Sequence, residues 1–246
     1  MKKYDMSREA NAVRKKLGED AFSPIDIFSM ALREDNTSVV FAELGKNISG
    51  VFYRNDDSKT IIINSSMSLG RQRFSMAHEL YHLNYDFDSQ TIVCPQKIAV
   101  GNENERKADA FAACLLMPRD GIFSMVQEQL KDKNNLQWKD IISLEQYYGV
   151  SHAALILRLL EEDLINKSEY EKFSDKVVAR AEMLDFDTSL YRSTNVNKTS
   201  GHYLQLAREL HDKDILSDSK YKEILSDAFM EDVALGSVEI GDDTFE

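Results

Sequence analysis

Cysteine, basic charge and long apolar runs are all scarce in this sequence. Cys94 and Cys114 are the only cysteines in 246 residues, too few for a disulfide scaffold. The opening MKKYDMSREANAVRKKLG has no apolar h-region of a signal peptide, so reduced thiols in a cytoplasm are the expectation. The most apolar stretches, Thr60–Ile63 and Ala153–Leu160, fall far short of the ~20 residues a membrane span needs. Lys and Arg number 30 against 42 Asp and Glu, a formal net charge of -12. Nucleic-acid affinity rests on bases neutralising phosphates, so direct nucleic-acid binding is disfavoured and a protein or small substrate preferred. With 43% apolar residues the chain has enough for one well-cored domain or two modest ones.

What is present reads as a mixed first part and a helical remainder. Ser7–Leu17 carries Ala10, Val13 and Leu17 at helical spacing. In SPIDIFSMAL, Ser23 is placed as the N-cap and Pro24 at the first helical position. Three β-like runs follow: Ser38–Leu44, Ile48–Arg54 and Lys59–Asn64. The last two flank NDDS, which is turn chemistry. A small antiparallel sheet is expected, with TIIIN its most buried strand. Arg71–Asn84 and NENERKADAFAACLLMP read as helices, the second ended by Pro118, with Tyr85–Gly101 an irregular segment between them. Asn135–Tyr148 and Ser151–Glu162 read as two helices joined at YGVS. Lys167–Leu184 reads as a polar helix, DFDTSLYRSTNVNKTSG as a linker or long loop, and His202–His211 and Ser217–Val233 as helices. Residues 231–246 hold six acids and no base, the composition of a mobile tail.

One stretch carries chemistry. His78-Glu79-Leu80-Tyr81-His82 fits H-E-x-x-H. Residues four apart on a helix share a face, so two imidazoles there can bind one metal ion. Glu79 is turned about 100° from His78, where a general base for an attacking water belongs. With five histidines in the chain, random order gives on the order of 0.01 such matches. The competing reading is two surface histidines on an amphipathic helix. A third ligand decides between them, since a catalytic zinc usually has three protein ligands. ENERKADAF offers Glu103 and Glu105. Glu105 has Asp109 four residues on, able to reach the other N–H of a ligating imidazole, whereas Glu103 has Lys107 there. Glu105 is therefore the choice.

The stretches KTIIINSS, RQRFSMAHELYHL and ERKADAFAACLLMP together resemble the ImmA/IrrE family of metallopeptidases. The resemblance covers roughly residues 20–165 and implies an α+β, gluzincin-like (zincin-like) fold: a small three-stranded antiparallel sheet beside the HExxH helix, then a mainly helical C-terminal part. It implies His78, His82 and Glu105 as ligands of Zn2+, or another divalent metal such as Mn2+, and Glu79 as the catalytic glutamate. It also implies an intracellular bacterial protease that cleaves a helix-turn-helix repressor of a mobile element or stress response. Position 81 is commonly glycine in the family, and Tyr81 here either crowds the site or forms its wall. The expected division is residues 1–120 as the metallopeptidase domain, 121–166 as a helix-turn-helix-like unit packed on it, and 167–246 as a helical region with an acidic tail. A metal-containing partner-binding sensor without significant proteolysis is the alternative function.

Other residues carry less. Tyr85, His152, His202 and His211 are all candidates for a second oxyanion donor, and nothing in the sequence selects among them. Cys114, in FAACLLM, reads as a small buried hydrophobe. Either cysteine is in principle a thiolate ligand, but Cys94, before Pro95, is placed in a loop and left open as a redox or regulatory thiol. Arg71 and Arg73 read as solvated helix charge. LEQYYGVSHAALILRLLEEDLI resembles a helix-turn-helix pair, but its second helix has one Arg and two Glu from Ser151 to Glu162. A groove-reading helix presents several donors, so this one reads as a packing unit.

Overall fold

The structure is a computed structural model that describes residues 4–87, 90–95, 102–130 and 135–235. Helix α1 (Ser7–Lys16) buries Ala10, Val13 and Arg14. Arg14 closes the far end of a later helix, donating from Nε to the Leu115 carbonyl at 2.8 Å, which suits a cation at a helix C-terminus. Helix α2 (Ile27–Leu32) starts later than Ser23 and Pro24 predict. Asp26 is its cap, accepting from the Phe28 and Ser29 amides and from the Ser29 hydroxyl at 2.5 Å. A carboxylate that meets three donors is a better cap than Ser23.

Strands β1 (Thr37–Ala42), β2 (Ile48–Arg54) and β3 (Lys59–Asn64) lie where three β-runs are expected, but the sheet is larger and not purely antiparallel. Its order is β4-β2-β3-β1-β5. β2 and β3 form the antiparallel hairpin across NDDS, while β1 pairs parallel with β3. Asn64 makes that crossover hold: its Oδ1 accepts from the Leu44 amide at 3.2 Å and its Nδ2 donates to the Ile48 carbonyl at 2.7 Å. β3 is central, with Ile61 and Ile63 fully buried.

Two edge strands fall in segments read as irregular. β4 (Thr91–Pro95) pairs antiparallel with β2, with a register shift between Ile48 and Gly50. β5 (Lys198–Gly201) pairs antiparallel with β1, so a strand from the last third of the chain completes the sheet. β5 is held by backbone pairing, and KTSG has no apolar alternation to announce it.

Helix α3 (Leu69–Tyr85) lies across β2 and β3, and α4 (Glu103–Leu116) packs on α3. Fully buried Phe52, Ile61, Ile63, Met76, Leu80, Phe111 and Leu115 belong to one core cluster. The Asn102 side chain caps α4 through the Glu105 amide at 3.0 Å. Cys114 is buried in that core, as read. Arg73 is not a solvated charge: it donates to the carbonyls of Gly149 at 2.8 Å and Ile25 at 2.6 Å, tying α3 to two loops.

Next come α5 (Arg119–Leu130), α6 (Trp138–Tyr148) and α7 (His152–Glu161). Gly149 ends α6 with φ 63, and Ser151 caps α7. On α7, Ala154, Leu155, Ile156 and Leu159 are buried, and its single base, Arg158, is buried against Glu162 at 2.9 Å. The expected helix Lys167–Leu184 is two, α8 (Lys167–Phe173) and α9 (Val177–Met183), because Lys176 takes a left-handed φ of 60. The break follows Phe173, which is buried edge-on against Trp138 at 5.3 Å. Ser189–Tyr191 forms a 3-10 turn inside the expected linker. α10 (His202–Asp212) follows, and the expected Ser217–Val233 helix is broken at Phe229, φ 62, into α11 (Asp218–Asp227) and α12 (Glu231–Ala234). The rest of the acidic tail, residues 236–246, lies outside the described residues. Among the described residues no helix is long and apolar enough to cross a membrane.

Candidate metal centre

The seventeen-residue helix α3 places His78 and His82 one turn apart with their rings 5.0 Å between centroids. Both are buried, and their Nε2 atoms face each other at 3.2 Å. Helix α4 brings Glu105 to them: Oε2 is 3.4 Å from His78 Nε2, and Oε1 is 3.5 Å from His82 Nε2. Donors bound tetrahedrally at 2.0–2.1 Å would stand about 3.3 Å apart. The three side chains therefore hold nearly the spacing that one small ion demands. Strand β4 adds Cys94, so the donor atoms of His78, His82, Glu105 and Cys94 all lie within 4.8 Å of one another. This corrects the loop placement of Cys94: it is 1% exposed and paired to Gly50 of β2.

The far sides of both imidazoles are engaged. His78 Nδ1 is 2.9 Å from Asp109 Oδ1, and His82 Nδ1 is 3.3 Å from Asp86 Oδ2. With each Nδ1–H donated to a carboxylate, each Nε2 is left facing Glu105, where it offers a lone pair once it carries no proton. Asp86 is itself held by Asn104 Nδ2 at 3.3 Å. Arg54 of β2 donates to the carbonyls of His82 at 2.7 Å and Asp86 at 2.6 Å, clamping the end of α3.

Glu79 is fully buried beside this cluster, and neither of its oxygens meets a hydrogen-bond partner of good geometry among the described residues. The Cys94 thiol lies against the carboxylate. Gly50 lets them come together, for a Cβ there would fall 2.5 Å from Glu79 Oε1 and 3.1 Å from the Ile62 carbonyl. Glu105 Oε2 likewise lacks a hydrogen bond of good geometry, with His78 Nε2 3.4 Å away. Buried oxygens left so are costly unless a cation or other donor answers them.

The electrostatics say the same. Burial pushes the Glu79 carboxyl up to about 7, against the pull of His78. Burial opposes charge on His78, but hydrogen bonds to Asp109 and Glu105 outweigh it and hold the imidazolium up to about 10. Burial, then the charge of His78, holds His82 below the usual histidine value. Burial opposes charge on Glu105 too, but the two histidines hold it low. Burial and the Glu79 and Glu105 carboxylates push the Cys94 thiol upward. A pocket with this excess of acids favours positive charge, supplied by a proton on His78 or by a divalent cation that must displace it. The donor set of two imidazoles, a carboxylate and a thiol fits such a metal ion.

The model of the family described as the IrrE N-terminal-like domain, peptidase M78, matches residues 33–160. That span runs from before β1 to α7 and contains all four donors and Glu79. The chain belongs to peptidase family M78. Membership agrees with the ImmA/IrrE resemblance in the two motif helices and implies peptidase chemistry. No curated protein matches the chain significantly.

Within this M78 domain Tyr81 forms wall. Its ring meets His82 edge-on at 5.5 Å and packs on Tyr85 and Phe111 at 5.6 and 5.8 Å. The other candidate donors have different duties. Tyr85 donates to the Glu9 carbonyl, His152 is held between Glu145 and the Phe173 carbonyl, and His211 pairs with Asp218. His202 opens α10. Asp86, Gly50 and Arg54 are the residues that the sequence reading missed, and it left Cys94 outside the chosen ligand set. Asp86 follows His82 by four, the same offset that singles out Asp109. A glycine inside the strand pattern SGVFY marks a close backbone approach. TIV before Cys94 is β-branched, a strand signal. Arg54 carries no local signal.

Proposed function

We propose that this M78 chain is a zinc-dependent endopeptidase that hydrolyses one bond in a partner protein, a helix-turn-helix repressor being the expected partner. The observation that carries this is the convergence of His78, His82 and Glu105 at 3.2–3.5 Å beside the fully buried carboxylate of Glu79. His78, His82 and Glu105 are assigned as the metal ligands, with manganese the other candidate metal. Asp109 and Asp86 orient the imidazoles. When bound, the metal supplies Lewis acidity toward a scissile carbonyl and lowers the pKa of a water toward ~7. Glu79 takes the proton of the attacking water and passes it to the leaving amine. Burial, which raises its carboxyl above the usual glutamate range, favours a group that accepts a proton and returns it. Residues 1–120 are assigned the chemistry, and 121–166 and 167–246 the recognition of the partner, apart from β5.

The test is incubation of metal-loaded wild type and Glu79→Gln with candidate helix-turn-helix proteins, read by intact mass. One defined cut made by wild type and lost in Glu79→Gln is expected. A second reading, a metal-containing sensor that binds a partner without cutting it, is favoured by one feature: Cys94 supplies a fourth protein donor where a hydrolytic site normally keeps a position open. Cellular function intact in Glu79→Gln would select the sensor.

A further inference from the structure

We propose that Cys94 is a fourth protein ligand of the metal, closing the centre into a latent state that must be opened before hydrolysis; this rests on the metal reading given above. Three independent features converge on it. The Cys94 sulfur lies within 4.8 Å of the donor atoms of His78, His82 and Glu105, which come from two helices. It reaches them from a third element, the strand β4, on the side where Glu79 stands with its carboxylate against the Cys94 thiol. The backbone holds it there: Cys94 pairs with Gly50, and the Ser49 hydroxyl donates to the Cys94 and Pro95 carbonyls at 3.3 and 3.0 Å.

A set of two histidines, one carboxylate and one thiolate is a complete tetrahedral shell. On binding, a metal–sulfur bond forms and the thiol proton leaves to solvent. Cys94 then takes the position that an attacking water needs, beside the base that would activate it. The same geometry makes the closure reversible. β4 is an edge strand, paired only with β2 among the described residues. Withdrawing Cys94 disrupts that ladder and the Ser49 hydrogen bonds beside it, and leaves α3 and α4 with their three donors in place.

Cobalt(II) added to the full-length protein reads this directly. Wild type and Cys114→Ser are expected to show thiolate-to-cobalt charge transfer in the near ultraviolet. Cys94→Ser and Cys94→Ala are expected to lose it while keeping the visible bands of four-coordinate cobalt, and Glu79→Gln to retain it. Zinc affinity, from chelator competition, should fall roughly 10–100-fold in Cys94→Ser, at least the loss typical of an outer partner. Acetohydroxamate, which seeks an open coordination position, should perturb the cobalt spectrum of Cys94→Ala at a concentration about tenfold below that needed for wild type. Cobalt bound by wild type without the charge-transfer band would overturn the ligand assignment. Equal acetohydroxamate sensitivity would overturn the closure. Failure of wild type to bind cobalt or zinc at all would instead overturn the metal reading beneath both.

Discussion

Asp109 and Asp86 each hold the outer nitrogen of one imidazole, at 2.9 and 3.3 Å. Such carboxylates fix the tautomer and the ring angle together, so their loss is felt in affinity rather than in fold. Asp109→Ala and Asp86→Ala are each expected to weaken zinc binding about 10–100-fold, measured by chelator competition, with the melting temperature of the metal-free protein little changed. Glu79 behaves in the opposite way. It is fully buried with the Cys94 thiol against its carboxylate, so Glu79→Gln should keep metal affinity while hydrolysis of an identified partner falls about 10²–10⁴-fold, the span of a general base. Equal loss of metal affinity in Glu79→Gln would make it a structural carboxylate instead. His78 adds a proton to this account. Burial opposes its charge, yet Asp109 and Glu105 hold it up to about 10, so metal entry at neutral pH must expel about one proton from His78, and about one more where the Cys94 thiol also binds. Calorimetry in buffers of different ionisation heat measures that number.

The centre is assembled where one helix, α3, crosses a strand, β2, and the contact depends on a missing side chain. Gly50 gives Glu79 its place, and a methyl there would sit 2.5 Å from Oε1 with the Ile62 carbonyl behind it at 3.1 Å. Gly50→Ala is therefore expected to displace Glu79 but not the two histidines on the same helix: hydrolysis falls about 10²-fold, while zinc affinity moves by no more than about threefold. A parallel loss of both would mean that α3 as a whole had shifted. The elements differ in how far the sequence announces them. His78, His82 and Glu105 were readable because helical spacing and a two-helix motif converge on one ion, and β3 because isoleucines crowd a short run. The parallel pairing of β1 was not, since it hangs on the side chain of Asn64 bridging residues 44 and 48. Nor was the split after Phe173, which answers to Trp138 rather than to any local breaker. Cys94 illustrates the general reason. Its neighbours Thr91, Ile92 and Val93 favour a strand, but that it reaches the histidines is settled by pairing with β2, a contact some forty residues away.

The molecule as a whole has a second buried polar cluster, outside the candidate metal centre, that joins α6, α7, α8 and the 3-10 turn. Glu145 on α6 is fully buried, 2.5 Å from His152 Nδ1 on α7 and 2.5 Å from the hydroxyl of Tyr191 in the 3-10 turn. His152 Nε2 contacts the Phe173 carbonyl that ends α8, and its ring stacks on Trp138 at 5.7 Å. Four elements thus meet at one charged pair, which links the span matched to the M78 family with the chain beyond it. Burial opposes charging His152, but the Glu145 hydrogen bond and charge, with the Phe173 carbonyl, outweigh it and raise its pKa above the ordinary 6.5. The sign follows from linkage: a group whose pKa is raised on folding contributes fully below its unfolded value and loses that contribution as pH rises through the folded one. Removing one partner alone strands a buried charge, so His152→Ala should cost about 3 kcal/mol at neutral pH. The paired variant His152→Asn with Glu145→Gln keeps hydrogen-bonding groups but cannot charge. Urea midpoints of wild type and this double variant should differ most from about pH 6.5 downward and should converge as the solution is made alkaline. Midpoints that ran parallel across that range would show that His152 is neutral in the folded protein, and that packing on Trp138, rather than charge, joins these elements.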